Sequence, residues 1–366
     1  MDQTTKEIWF DNDGVCSYCY KHEALDRAFP QNNSHLNIIE KIKKDGINKK
    51  YDCIVGLSGG RDSSYTVHLL KKYGLRALVV HFNDGFGNPL AGENIKKIIA
   101  KTKFELRSIT SDWRESKDIK ISCLKASVPD IEIGTDLGIA ASLYGTASKE
   151  KIKYIITGTS FRTEGIAPLD WNYLDGKYLK SIQKIYGSVK LRKWKHDDAG
   201  FNLDMKEMIY YSLYKRIQMV PILYYENYIR KDAEEIIKEL YGWKNPGAHY
   251  FDDLYQSLIF YVLRVKFNID FRKFNYSALI RSNQMSRDEA LSRIKKIYEI
   301  EDEKIINLCI KRLGLKRNEF DEILKKPIKS FRDYKTNYRF VKMSKLIILI
   351  LSKLNILHPS TYYKFF

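Results

Sequence analysis

The sequence predicts an α/β protein: a parallel sheet covered by helices on both faces, followed by a helical C-terminal region. Short, near-continuous apolar runs alternate with segments of helical spacing, the pattern of strands buried on both faces. Each run ends in Gly or small polar residues, and after Pro246-Gly247 the strand-like runs stop.

The first strand is Tyr51-Asp-Cys-Ile-Val-Gly-Leu57, closed at once by Ser58-Gly59-Gly60. Ser63 to Tyr73 then has helical spacing, with Val67, Leu70 and Tyr73 on one face. Arg76 to Phe82 reads as a second buried strand, ending in Asn83-Asp84-Gly85. A helix over about 92–103, a strand over 104–109 and a helix over about 136–150 follow. Lys153-Tyr-Ile-Ile-Thr157 is a fourth strand, closed by Gly158. Ligands of such sheets sit outside the carboxyl ends of the strands, at the switch in strand order. A pocket is therefore expected around Leu57/Ser58, Phe82/Asn83 and Thr157/Gly158. Helices are expected over roughly 252–267, 286–298, 302–313 and 342–354. Three units follow: a small N-terminal segment over 1–45, the α/β domain over 46–246, and the helical region over 247–366.

The 366 residues are 44% hydrophobic and 30% charged, which excludes wholesale disorder. Lys and Arg number 63 against 45 Asp and Glu, a formal net charge of +18. Of that excess, +11 lies between His249 and Phe366. The balance favours anionic partners such as nucleotides, sugar phosphates, nucleic acid or a membrane surface. A Lys- and Tyr-rich solvated surface accounts for it equally well. Met1 to Asn12 lacks the apolar core of a secretory signal. The longest apolar run, Leu346–Leu357, is too short to span a bilayer and is expected to bury against this chain or a neighbour. Five cysteines are too few for a disulfide scaffold at this size. A cytoplasmic protein is expected.

Ser58-Gly59-Gly60-Arg61-Asp62-Ser63 lies between a strand and a helix. Two glycines let the backbone approach a phosphate, and successive N–H groups with the helix N-terminus attract its charge. Ser58 and Ser63 add hydroxyl donors. Asp62 would repel phosphate unless a cation lies between them, which points to Mg²⁺ bridging carboxylate and phosphate oxygens. The loop is neither a Walker A sequence nor a dinucleotide fingerprint.

The hexad resembles the PP-loop, Ser-Gly-Gly-x-Asp-Ser, of the ATP pyrophosphatase superfamily. That resemblance implies a Rossmann-like, adenine nucleotide alpha hydrolase-like sheet on which ATP is split between its α- and β-phosphates. Further blocks resemble the N-acetyl sugar amidotransferases: Trp113–Asp118, Leu124–Glu132, Gly158–Gly165 with Trp171, and Leu279–Ala290. Such enzymes convert the N-acetyl group of an activated bacterial sugar into an acetamidino group, for O-antigen, capsule or flagellar glycans. The resemblance implies ATP contacts at Gly56, Leu57, Ser58, Gly59, Gly60, Arg61, Asp62, Ser63 and Ser64. His81, Asn83, Gly158 and Thr159 complete that set. Catalytic roles fall to Asp62, which also holds Mg²⁺, to Ser58, Arg61 and Glu164, and to Arg162. Asp136, Ser160, Glu164 and Trp171 are expected to meet the sugar. Asp136 and Glu164 either bind its hydroxyls or assist proton transfer from ammonia, and a helix cap or surface ion pair is the plainer reading of Asp136.

Cys16 and Cys19 form half of a tetrahedral zinc site, with His22 a third candidate ligand. The resemblance implies a second Cys pair upstream of Met1-Asp2, so zinc rests on half a site. Cys53, Cys123 and Cys309 read as buried small residues. None sits in a Gly-x-Cys-x-Gly elbow, so ammonia is expected from a separate glutaminase subunit, with a barrel-type channelling protein as a further partner. Around His249-Tyr250 only the core of a family block remains, and substrate contacts are not expected there. The partners foreseen are the activated sugar and the glutaminase, with no nucleic acid, no membrane span and room for a homo-oligomer. Two other readings compete: a tRNA-modifying PP-loop enzyme of the thiolase or lysidine-synthetase type, favoured by the charge, and a nucleotide-binding scaffold without catalysis.

Overall fold

The structure is a computed structural model that describes residues 1–32, 35–196, 200–246 and 252–366. Five parallel strands form one sheet: β1 (Cys53–Gly56), β2 (Ala77–Asn83), β3 (Glu105–Thr110), β4 (Tyr154–Thr157) and β5 (Gln218–Pro221), in the order β3-β2-β1-β4-β5. The chain builds outward from β1 to β3, then crosses to the other side of β1 for β4 and β5. This Rossmann-like order puts the topological switch between β1 and β4.

Strand residues alternate between two cores, as the two-residue period of a strand requires. Cys53, Val55, Val79 and Ile156 face one side, where they meet α2 (His35–Asp45), α3 (Arg61–Lys72), α4 (Pro89–Thr102) and α9 (Arg230–Tyr241). Ile54, Leu78, Val80 and Ile155 face the other, against α5 (Trp113–Ala126), α6 (Ile133–Lys149) and α7 (Gly176–Tyr186). The short α8 (Met205–Ile209) precedes β5, and α1 (Ser17–Ala28) opens the fold.

No further strand follows β5 among the described residues. The C-terminal helices are α10 (Tyr255–Phe267), α11 (Phe271–Arg281), α12 (Arg287–Ile294), α13 (Glu303–Arg312) and α14 (Arg317–Lys325). They end in α15 (Tyr338–Met343), α16 (Lys345–Lys353) and α17 (Ser360–Phe365). Tyr255, Leu258 and Ile310 of this region join the same core as Ile54 and Leu78, so the helical region closes one face of the sheet. Within Leu346–Leu357 only Ile348 and Ser352 are buried; Leu349, Leu351, Asn355, Ile356 and Leu357 are half-buried and the rest exposed.

Helices α7, α9 and α14 are absent from the sequence expectation, and three further elements differ from it. β5 is only four residues, Gln-Met-Val-Pro, with neither an apolar run nor alternation to mark it. Helix α5 buries Glu115, Asp118 and Lys120, so its polar residues hide an inward face. Each is matched inside: Arg192 Nε lies 3.0 Å from Glu115 Oε2, Ser188 N donates to Asp118 (2.7 Å), and Lys120 Nζ to Asp84 (2.6 Å). Helix α11 was not foreseen, because its periodicity is interrupted by Arg272, Lys273 and Asn275.

Candidate active site

The loop after β1 turns sharply. Gly59 takes a φ of +89°, and a Cβ there would strike the Ala91 carbonyl of α4, so only glycine fits. Its own carbonyl is pinned by Asn94 Nδ2 (3.2 Å) and by the Trp243 indole N–H (3.0 Å). The hydroxyls of Ser58 and Ser63 lie 3.0 Å apart, and Ser58 N donates to Ser63 Oγ (3.2 Å). The loop is thus closed on itself at the N-terminus of α3, where the helix dipole and free amides favour an anion.

Asp62 stands in the first turn of α3 and is buried. Arg61 Nε donates to its Oδ1 (2.8 Å), and the Tyr228 hydroxyl donates to the same oxygen. Glu164 is joined to it by a side-chain hydrogen bond. Burial, and then the charge of Asp62, push the Glu164 carboxyl up to about 8. Asp252, whose carboxylate touches Ser58 and lies beside Gly60, is pushed up to about 6, chiefly by burial. Three carboxyls therefore converge on the loop. Where two meet, either one keeps a proton or a cation comes between them.

The strand-end residues fall where expected. His81 Nδ1 is 2.9 Å from the Leu57 carbonyl, Asn83 Oδ1 accepts from Gly85 N, and Gly56 closes β1. Gly158 rests on α3: a Cβ would lie 2.8 Å from Thr66 Oγ1 and 3.1 Å from Asp62 O. Thr159 Oγ1 is 3.2 Å from His358 Nε2, a contact from the C-terminal tail that nothing local in sequence announces. Ser64 is buried within α3, its hydroxyl on the far side from solvent.

The Gly158–Gly165 block curls into a turn: Glu164 N donates to Ser160 O (2.8 Å) and Ser160 N to Glu164 Oε2 (3.3 Å). That turn aims Glu164 at Asp62. It is seated on α11 through Gly165, at φ +79°, where a Cβ would come within 2.8 Å of Phe274. Ser282 Oγ donates to Arg162 O (2.7 Å), and Gln284 holds both Tyr228 O (3.0 Å) and Arg230 N (3.0 Å). The structure thus brings together two blocks separated by over a hundred residues, and links both to the loop.

Three candidates stand differently from the expectation. The Arg162 guanidinium donates to Asp26, to Tyr224 O and to Phe29 O. Its forked donors clamp α1 rather than a phosphate. Trp171 is a core residue packed near Phe271, with little surface for a sugar. Half-buried Asp136 interacts with buried Asp130 and with Lys364, and Asn172 Nδ2 approaches it at 3.4 Å. Burial, then Asp136, push Asp130 up to about 7. Tyr228, Asp252, Asn94, Trp243 and His358 were missed, since each reaches the site only through tertiary folding.

A cavity of about 830 Å³ opens at Gly60 and Arg61. Its far wall carries Leu279, Asn283, Gln284 and Glu289 of the Leu279–Ala290 block, and Arg230 and Lys296 lie on its rim. The His249-Tyr250 pair lies outside the described residues. At the N-terminus, Cys16 and Cys19 have their sulfurs 3.3 Å apart, but His22 turns to Asp26 (3.3 Å). Among the described residues no group of three or more metal-binding side chains forms. Two thiols alone do not fit tetrahedral zinc.

Residues 247–347 match the family model of the C-terminal domain of WbpG-like LPS biosynthesis proteins. This segment includes the Leu279–Ala290 block, so the resemblance to surface-glycan enzymes is borne out there. A search of curated proteins finds no match. Among solved structures, the chain is similar to NMN synthetase from Francisella tularensis, at 11% identity over 82% of this chain and 97% of that one, with a TM-score of 0.31. The NH3-dependent NAD synthetase from Campylobacter jejuni gives 15%, 77%, 98% and 0.30. A predicted subunit of tRNA methyltransferase from Methanocaldococcus jannaschii gives 19%, 51%, 74% and 0.29. At these scores the strand order described above, not the likeness, carries the fold.

Proposed function

We propose that the chain is an ATP-dependent amidotransferase of surface-glycan synthesis, acting on the N-acetyl group of an activated sugar. One observation carries this reading: the phosphate-cradling loop opens into a cavity walled by the segment that matches WbpG-like proteins. An ATP site and a second-substrate site are then contiguous, as group activation by a nucleotide requires.

An amide carbonyl is a poor electrophile. Its oxygen attacks the α-phosphorus of ATP, the bond to the β-phosphate oxygen breaks, and pyrophosphate leaves into the Ser58–Ser63 loop. The O-adenylyl imidate so formed accepts ammonia at carbon, and AMP departs with the former carbonyl oxygen. Loop amides and Ser58 and Ser63 bind the departing phosphates, and Arg61 offsets their charge. Glu164, once it has released the proton that it holds up to about 8, takes the proton that the nitrogen sheds. Asp62, with Asp252 beside it, would hold Mg²⁺. When bound, that ion neutralises charge on the leaving pyrophosphate. Arg230 and Lys296 suit the anionic carrier of the sugar.

Ammonia is assigned to a separate glutaminase. Burial raises the Cys53 and Cys123 thiols and takes Cys309 to about 12; the hydrogen bond to Cys19 lowers the Cys16 thiol to about 5, but the neighbouring His22 turns to Asp26. The test is incubation of the protein with ATP, Mg²⁺, ammonium and a panel of nucleotide sugars. Mass spectrometry should find one sugar that has exchanged an O for an NH, with AMP and pyrophosphate. ADP and phosphate as products would overturn the reading, and tight binding of bulk tRNA at physiological salt would favour a tRNA-modifying enzyme instead.

A further inference from the structure

From Tyr334 to Phe366 the chain carries six Lys or Arg residues and no Asp or Glu. Helices α15 and α16 run almost as one, because Ser344 N donates to Phe340 O (3.0 Å) and Ile348 N to Ser344 O (2.9 Å) across their junction. Ile348 and Ser352 form the face turned to the protein and are buried. On the opposite face, Phe340, Met343, Ile347, Ile350 and Leu354 recur at helical spacing. With Leu346 they are between 49% and 87% exposed, so the outward face of this amphipathic segment is the apolar one. Arg339, Lys342 and Lys353 are exposed and border that stripe. Among the described residues Lys342 Nζ donates to the Phe365 carbonyl (2.7 Å), and none of the three forms an ion pair with a carboxylate.

We propose that this face docks on the surface of a bilayer containing anionic lipids, lying in the interface with its apolar stripe among the acyl chains. An apolar stripe edged by lysine and arginine is the pattern of an interfacial helix, and no helix among the described residues is long and apolar enough to cross a membrane. Charge decides between occupants. A second copy of the same face would set one uncompensated cationic segment against another. An anionic bilayer supplies negative charge and a low-dielectric layer in the same plane.

The test is cosedimentation of the full chain with phosphatidylcholine vesicles and with vesicles of phosphatidylcholine and phosphatidylglycerol. The chain should partition to the anionic vesicles at least tenfold more strongly, and added salt should weaken the binding. Leu346→Glu with Ile350→Glu should abolish it, and Lys342→Glu with Lys353→Glu should lower it several-fold. The second pair keeps the test valid should the first disturb folding, which circular dichroism would reveal. Ile47→Glu, on an exposed apolar residue elsewhere, should leave binding unchanged. The proposal is overturned if the chain ignores both vesicle types. It is equally overturned if sedimentation shows a dimer that Ile350→Glu splits, since the occupant is then a second copy.

Discussion

A carboxylate beside a phosphate is repulsive unless positive charge lies between them. Asp62 already holds Arg61 and Tyr228 on one oxygen and is hydrogen-bonded to Glu164. Asp62→Asn should keep the fold yet lower turnover by about a hundredfold or more, because charge on the leaving group is no longer balanced. Steady-state kinetics beside a thermal melt will separate the two effects, and equal loss of stability and activity would point to a structural role. Glu164 gives a second prediction. Its folded-state value of about 8 lies above the ordinary 4.5, so the folded chain holds a proton that the unfolded chain releases within that window. Its contribution to stability is therefore lost as pH rises from about 4.5 through about 8. Urea titrations should show a shallower decline across that range in Glu164→Gln, and an unchanged slope would mean that neither burial nor Asp62 raises this carboxyl.

At the scale of elements, the turn at 158–165 works because α11 gives it a seat. Gly165→Ala would combine a left-handed backbone with a Cβ 2.8 Å from Phe274, costing about 1–3 kcal/mol. Denaturant unfolding should register that loss, together with reduced turnover as Glu164 shifts away from Asp62. Stability equal to the parent would show the seat to be loose. The hexad and β1, β2 and β4 were legible in the sequence, because apolar β-branched runs ending in Gly or small polar residues suit buried parallel strands and little else; the edge strand β3, mostly charged or polar and none of it buried, was marked only by its place after a helix. Glu164 and the Gly158–Gly165 block could be singled out from resemblance. Their partners could not: Tyr228 lies in a tyrosine-rich stretch without pattern, Asn94 reaches Gly59 from within α4, and Trp243 reaches it from just beyond α9. Arg162 was misjudged for a related reason, since an arginine beside a phosphate motif gives no local sign that three acceptors on and beyond α1 will claim it.

At the scale of the whole molecule, the sheet presents its loop at the switch between β1 and β4, and the helical region builds the second wall of the cavity. Nothing in this arrangement assembles a thiolate with a histidine base for glutamine hydrolysis among the described residues. The purified chain should therefore turn over with high ammonium but not with glutamine, and adding a glutaminase should restore glutamine use. Efficient glutamine-dependent turnover by this polypeptide alone would contradict that assignment. The central claim, adenylation of the acetyl oxygen, is tested most directly by isotope. An N-acetyl sugar nucleotide carrying ¹⁸O in its acetyl carbonyl is turned over with ATP, Mg²⁺ and ammonium, and the products are weighed. The account predicts one ¹⁸O in AMP, unlabelled pyrophosphate and a sugar in which NH has replaced the labelled oxygen. AMP without the label, or ADP in its place, would contradict it.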